Sequence, residues 1–414
     1  MEIIVHKGNH EIGGTCIQAS SGTTTILLDI GLPLSPTSTR IDVSRLKVDA
    51  VLVSHPHQDH FGLMDCLFPE TPVYIGQLGK NFIDVTHVLL DKELPRNQFQ
   101  HFKAWEAFRI GDFKVTPYLV DHSAIDAYAF LIEAEGKRVF YSGDFRSHGR
   151  KGKLFEQMVA NPISGIDLLF LEGTMMRRNN DLFPEEAAVE QKIFEVISRQ
   201  KNISFIISSS QNIDRIVSAF KACKRSGKTL VIDIYTAWVL EQVRQITDNV
   251  PGMAWPEIRV YADKNLDEKL KAHPDYFGDF RKRLYRYRVK WQELMANPSS
   301  FLFFGRMSSF RKIDAFKKGE GQVNVIYSQW LGYLDGKHSD YFGSDRIAAY
   351  GEDPEVNFVY AHTSGHAPVE DLQRLAAALK PKILVPIHTE YASDFGDLFV
   401  NVMTLQDGVP FVLN

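Results

Sequence analysis

Four residues able to bind a metal stand within six positions: His55, His57, Asp59 and His60, in the segment HPHQDH. Neutral imidazoles and carboxylates suit zinc, and a loop at the end of a strand can turn all four inward. A single His after a strand is usually a solvated loop residue or a satisfied partner. Four such residues rarely cluster without a ligand, so this segment reads as the nucleus of a metal site. A second metal needs more donors. His122 in VDHS, Asp144 in YSGDF and His388 in PIHTE each follow an apolar strand. Taken singly, His122 and His388 read more naturally as ordinary loop residues. If their strands share one sheet, all three loops open on the same edge as His55.

The elements that would position these residues can be read from the pattern around them. DAVLVS, residues 49–54, is a continuous apolar run ending at His55, as expected of a strand buried on both faces. Further strands are expected at 3–5, 15–18, 24–29, 114–119, 127–133, 138–142 and 167–172, and the last three each stop at a polar or acidic residue. The character changes near Asn179. A helix is expected over 184–199, with Pro184 near its start and Glu185 and Glu186 in its first turn. A strand at 203–208, a helix at 214–226 and a strand at 229–234 follow, an alternation that predicts parallel α/β structure. Helices are expected at 238–247, 267–273 and 280–296, and strands at 301–304 and 324–327. From Asn357 the first style returns, with a helix over 369–379 and a strand ending at His388. The expectation is an α/β protein whose catalytic sheet lobe is built from residues 1–180 and a return segment, 356–414, around an inserted α/β lobe, 181–355.

Composition narrows the function classes. The 414 residues are 44% hydrophobic and 24% charged, with a net charge of −4. A polyanion site must then be a local basic patch rather than a property of the whole surface. Cys16, Cys66 and Cys223 form no CxxC pair, which excludes a cysteine-rich zinc module and gives no disulfide framework. A reducing cytoplasm is the default location. The first residues, MEIIVHKGNHEIGG, lack the layout of a signal peptide, and no apolar run is long enough to span a bilayer.

HxHxDH followed by His, Asp and His resembles the metallo-β-lactamase superfamily, whose fold is an αββα sandwich. Asp29 in LLDIG is similar to that family's early structural Asp. The resemblance implies two Zn2+, replaceable by Mn2+ in vitro: one held by His55, His57 and His122, the other by Asp59, His60 and His388, with Asp144 bridging. Water between two such ions would ionise near neutral pH and attack in line. The position of the inserted lobe resembles the β-CASP group of nucleic-acid-cleaving enzymes. LFLEGT supplies Glu172, HTSGHAP supplies His366 and PIHTEY supplies His388 at the group's three extra motifs. SSSQNIDRI, residues 208–216, is similar to the matching stretch of ribonuclease J-like RNA nucleases. A His at the third motif resembles the RNA-processing branch rather than the DNA-repair branch.

That resemblance assigns roles. Asp59, Glu172 and His366 are the candidate catalytic residues. Gly365 would let backbone N–H groups approach a phosphate, Ser364 would add a hydroxyl, and His366 would donate to the scissile phosphate or protonate the leaving oxygen. Glu172 would orient a ligand or its neighbour, and Glu390 has a weaker claim to the same task. Ser209, Ser210 and Asn212 sit between a strand and a helix, which suits phosphate binding or plain helix capping. Thr389 stands where the group usually has Gly and would tighten the pocket. The ribonuclease J-like proteins carry a further C-terminal domain, for which this length leaves no room. The run RKRLYRYRVKW, residues 281–291, has six basic residues and no acid. It could grip RNA while stacking bases on Tyr285, Tyr287 and Trp291. On a helix, however, Leu284, Tyr287 and Trp291 would face the core.

The expectation is a zinc-dependent ribonuclease acting on single-stranded RNA, with a 5′ exonuclease as the finer form. A homodimer is the oligomeric form considered. Competing readings are a small-molecule metallohydrolase of the same superfamily, a DNA-directed β-CASP nuclease, and a non-catalytic RNA-binding protein.

Overall fold

The computed structural model describes residues 1–35, 37–178, 182–336 and 342–414. It divides into two compact units: Met1–Asp84, Glu93–Asn180 and Ser364–Asn414 form the first, Val85–Lys92 and Asp181–Thr363 the second. The expected boundary at 180/181 lies outside the described residues.

In the first unit two sheets lie face to face. One has seven strands, in the order Phe411–Val412, Glu2–Lys7, Cys16–Ser21, Thr24–Leu28, Ala50–Leu52, Pro72–Tyr74, Gln98–Gln100. The other has six: Ile383–Ile387, Leu168–Glu172, Lys137–Tyr141, Tyr128–Ala134, Phe113–Leu119, Phe108–Ile110. Ile3, Val5, Ile26 and Leu28 from the first sheet share one buried cluster with Phe113, Phe130, Ile132 and Phe170 from the second. The outer face of the six-stranded sheet is covered by Lys153–Ala160 and Val369–Leu379, through Phe155, Leu372 and Leu375. The outer face of the other sheet packs on Phe61, Met64 and Ile83. This is an αββα sandwich.

Burial patterns explain the strands. Glu2–Lys7 alternates, as an outer strand with one wetter face should, whereas every residue of Leu168–Glu172 is buried. Register then places the chemistry. Leu168–Glu172 runs parallel to Ile383–Ile387, with Glu172 opposite Ile387, and parallel to Lys137–Tyr141, with Phe170 opposite Tyr141. Asp144, Glu172 and His388 therefore leave the sheet at one edge. Thr24–Leu28 runs parallel to Ala50–Leu52, with Leu28 opposite Leu52, so Asp29 and His55 leave their own sheet together.

The second unit is built on seven strands, all paired parallel, in the order Arg288–Val289, Ile258–Tyr261, Thr229–Asp233, Phe301–Gly305, Ser204–Ile207, Val323–Tyr327, Val356–Tyr360. Two expectations change here. Residues 356–363, expected in the return segment, lie in this unit, because Val356–Tyr360 pairs along its whole length with Val323–Tyr327. The helix expected over 280–296 is broken. Phe280–Leu284 is helical, but Arg288–Val289 pairs with Val260–Tyr261 before Trp291–Ala296 resumes as a helix. The helical spacing was real on both sides of the break: Leu284 is buried, and Trp291 packs on Tyr261 and Phe316.

Candidate metal centre

The HPHQDH segment folds as a strand exit followed by one helical turn. His57 caps the short helix Gln58–Phe61, which puts Asp59 and His60 in its first turn. LLDIG packs directly against that turn: Ile30 N–H donates to His60 O and Leu32 N–H to Gln58 O. A Cβ at Gly31 would meet Asp59 O at 1.7 Å, so only glycine permits the approach.

The residues singled out by sequence converge in three groups, the third being Asp144, Glu172 and His366, which shares Asp144 with the second. The free ring atoms of His55, His57 and His122 lie together, with His57 Nδ1 3.1 Å from His55 Nε2 and 3.2 Å from His122 Nε2. Asp59, His60, Asp144 and His388 form the second group. Within it, His60 Nε2 is 3.1 Å from Asp144 Oδ2, and His388 Nε2 is 3.6 Å from Asp59 Oδ2 and 3.8 Å from Asp144 Oδ2. Asp144 Oδ2 also lies 3.6 Å from His55 Nε2 in the first group. One carboxylate therefore touches both.

These atoms fit a metal on their own terms. His60 Nε2, His388 Nε2 and Asp144 Oδ1 are buried and accept or donate no hydrogen bond. A buried polar atom without a partner is costly, and three such atoms within one cluster of possible ligands suit a cation. The opposite ring nitrogens are held from behind. His60 Nδ1 is 2.7 Å from Asp29 Oδ2, His122 Nδ1 donates to Gly365 O at 2.6 Å, and His55 Nδ1 lies 3.0 Å from Ser54 Oγ. His388 Nδ1 accepts from Gly13 N–H at 3.3 Å and lies 2.9 Å from Thr15 Oγ1. For His55, His60 and His122 the outer contacts fix the tautomer that turns a lone pair inward. Asp29 is itself anchored by Ser54 N–H, Ser54 Oγ and Tyr141 OH.

The electrostatics separate the two groups. Burial, reinforced by the neighbouring imidazoles, holds His55 and His122 well below the usual histidine range and takes His57 down to about 4. These rings stay neutral, the form that ligates. In the second group, burial alone would lower His60, but Asp144, Asp29 and Asp59 outweigh it and hold His60 well above the histidine range. Burial would raise Asp144, but His388, His60 and His366 hold it well below the carboxylate range. His388 is lowered by burial, with His60 adding to the effect and Asp144 opposing it.

Glu172 and His366 stand beside this centre. His366 Nδ1 lies 3.1 Å from Glu172 Oε2 and 3.8 Å from Asp144 Oδ2. Glu172 also accepts from Phe145 N–H and Thr174 N–H, which fixes it in place. Burial lowers His366, but Glu172 and Asp144 outweigh it, so its net shift is upward. A Cβ at Gly365 would meet Ser123 Oγ at 2.6 Å, so this close turn also requires glycine. Ser364 Oγ accepts from His366 N–H.

Other candidates are engaged elsewhere. Asn212 caps helix Ile213–Ser226 by accepting from Arg215 N–H, Ser210 accepts from Thr236 Oγ1, and Ser209 Oγ accepts from Gln211 N–H. Of the three, Asn212 serves as the helix cap. Thr389 is buried and donates to Gly173 O instead of narrowing the site. Glu390 pairs with Arg178 at 3.1 Å, not with a ligand. In the basic run, Arg281 pairs with Asp267 and Arg283 with Glu241 and Asp279, while Lys282, Arg286, Arg288 and Lys290 are exposed. Sequence reasoning overlooked Thr15, Ser54, Tyr141, Asp121 and Arg146. Ser54 and Asp121 did carry a signal, since each immediately precedes a ligand histidine.

Comparison with known proteins agrees with this picture. Residues 24–223 match the family described as Beta-lactamase superfamily domain, and residues 355–402 the family described as Zn-dependent metallo-hydrolase RNA specificity domain. A Ribonuclease J from Helicobacter pylori (strain B128) is 23% identical over 93% of this chain and 55% of its own length. A Probable RNase MJ4 from Methanocaldococcus jannaschii is 28% identical over 94% of this chain and 93% of its own. The chain thus spans about half the length of the Helicobacter pylori relatives it matches. A crystal structure of a protein of unknown function from Enterococcus faecalis V583 superposes with a TM-score of 0.77 at 20% identity, covering 99% of both chains, and shares the fold. Among the described residues no helix is long and apolar enough to cross a membrane.

Proposed function

We propose that this chain, with matches to a β-lactamase superfamily domain and to an RNA-specificity domain, is a β-CASP, ribonuclease J-like protein and a zinc-dependent ribonuclease. The observation that carries the reading is Asp144, one carboxylate in contact with both ligand groups, with the Glu172–His366 pair at its side. His55, His57 and His122 would hold one Zn2+ and Asp59, His60 and His388 the other, with Asp144 available to both. When bound, the two ions supply Lewis acidity toward a phosphoryl oxygen and lower the pKa of water, which suits hydrolysis of a phosphodiester.

The chain's own residues do the rest. Asp59 and Asp144 would be ligands and would also offer carboxylate oxygens that can accept a proton at the centre. His366 carries a proton on Nδ1 toward Glu172, which leaves its other ring nitrogen to donate to the departing oxygen. Glu172, with Asp144, shifts His366 upward and so favours its protonated form. Gly365 contributes a backbone turn without a side chain, next to the point where a phosphate must approach.

The substrate is single-stranded RNA. The RNA-specificity domain, the ribonuclease J relatives and His388 at the third motif support this choice. Attack from the 5′ end is the finer proposal. The inserted lobe, residues 181–355 in the sequence reading, is proposed to be the β-CASP lobe.

The test is purified protein against 5′-phosphorylated, 5′-hydroxyl and circular RNA and DNA, with and without a chelator. Chelator-sensitive release of nucleotides from linear 5′-phosphorylated RNA is expected, with circular RNA and DNA spared. Unchanged activity in a His57→Ala, Asp59→Ala double variant would sink the reading. Mn2+ is expected to restore the chelated enzyme.

A further inference from the structure

We propose that Arg146 is a positioning residue that sets His122 and His366 through Asp121 and the Ser364–Gly365 turn, an inference that rests on the reading of the metal centre given above. Arg146 is among the largest fully buried side chains. A guanidinium does not give up its charge, so its burial demands partners of fixed geometry. Those partners are the two segments that flank the centre.

Toward one segment, Arg146 N–H donates to Asp121 O at 2.7 Å and Nε to Asp121 Oδ1 at 3.3 Å, with both side chains fully buried. Asp121 is the residue before His122. Toward the other, Nη1 donates to Ser364 O at 3.1 Å. The next carbonyl, Gly365 O, is the one that accepts from His122 Nδ1, and Ser364 Oγ accepts from His366 N–H. The guanidinium thus grips His122 from both sides: through the residue that precedes it and through the turn that takes up its outward ring proton. The same turn delivers His366 to Glu172.

The surrounding loop is built for this grip. Lys151 Nζ donates to Val120 O and Ile125 O, one on either side of His122, and His148 Nε2 lies 2.9 Å from Ser364 O. A Cβ at Gly149 would meet Arg146 Nε at 2.4 Å and Nη2 at 2.5 Å, so the guanidinium has its place because position 149 lacks a side chain. A lysine at 146 would keep the charge beside Asp121 but lose the planar fork that spans to Ser364 O.

The experiment compares the full chain with Arg146→Lys and with a double variant, Arg146→Leu with Asp121→Asn, which removes both buried charges together. Three readouts are taken: Zn2+ affinity by chelator competition, the visible spectrum of the Co2+-loaded protein, and kcat and KM on RNA at saturating Zn2+. Arg146→Lys is expected to retain the wild-type circular dichroism spectrum and to weaken metal affinity by about 10–100-fold, the usual cost of losing a ligand's outer partner. The Co2+ spectrum should change, and kcat should fall by about the same factor while KM moves by less than about threefold. The double variant should show a larger loss. Wild-type affinity, Co2+ spectrum and kcat in either folded variant would overturn the proposal. Unfolding of both variants would assign Arg146 to the fold alone and would overturn it as well. If the wild-type chain cleaves no RNA, the ribonuclease reading fails, while metal affinity and the Co2+ spectrum still decide the role of Arg146.

Discussion

The two ligand groups use different chemistry within a few residues of each other. His55, His57 and His122 are three imidazoles kept neutral by burial and by one another. Asp59, His60, Asp144 and His388 include two carboxylates, and there the charges stabilise each other: His60 is held high and Asp144 low. The outer contacts differ in kind as well. His122 leans on a neutral carbonyl, whereas His60 leans on Asp29, a fully buried carboxylate with three further donors. The first group is a neutral trap whose competitor is the proton. The second is an anionic one whose formation is tied to the core of the sandwich.

The sharpest break of this contrast is Asp144→Asn, because Asp144 belongs to both groups. It should cost about 10³-fold or more in RNA cleavage, as several kcal/mol of metal stabilisation are lost, and metal bound per chain should fall at both sites in elemental analysis. Next come the paired variants His57→Ala and His60→Ala, each expected to leave one metal per chain. His60→Ala should also lower stability to urea by about 1–3 kcal/mol, since Asp29 loses a buried partner. His57→Ala should not; equal stability loss in both would erase the distinction. Asp29→Asn keeps every ligand and should weaken Zn2+ by about 10–100-fold, read by chelator competition. The smallest effect concerns pH in metal-free protein. His55, His57, His122 and His388 have folded values below their unfolded ones, so unfolded chains bind more protons and the stability these rings contribute is lost as pH falls below the unfolded histidine range. For His57 the window runs from the ordinary histidine value of 6.5 down to about 4. His60 acts in the opposite sense, its contribution being complete below the unfolded value and lost as pH rises through the higher folded one. Thermal melts should therefore show acid destabilisation that His57→Ala flattens and His60→Ala steepens.

What could be read from the sequence follows physical range. HPHQDH was legible because its four donors are neighbours in the chain and the apolar run before them fixes a strand exit. His122, Asp144 and His388 were legible only as a set, since nothing local marks them. The outer partners were not legible: Thr15 reaches His388 across 373 residues and Arg146 reaches Ser364 across 218, contacts that only the packed sheets create. The basic run misled in part because helical periodicity cannot register a two-residue strand such as Arg288–Val289, whose formation depends on Val260 and Tyr261 far upstream. Ser209, Ser210 and Asn212 lay correctly between strand and helix, but the same residue types serve caps and anions alike.

The distance along the chain between Asp144 and His388 has a consequence for synthesis. A growing chain that has emerged through Asp144 holds the whole of the three-histidine group, yet the second group waits for His388, and His122 waits for Gly365 to take its ring proton. At ordinary translation speeds the remaining stretch takes about 10–50 s. Through that interval the nascent chain has half of the candidate metal centre and no His366. Arrested nascent chains lacking the return segment should leave labelled RNA intact, and cleavage should begin only after it has been made.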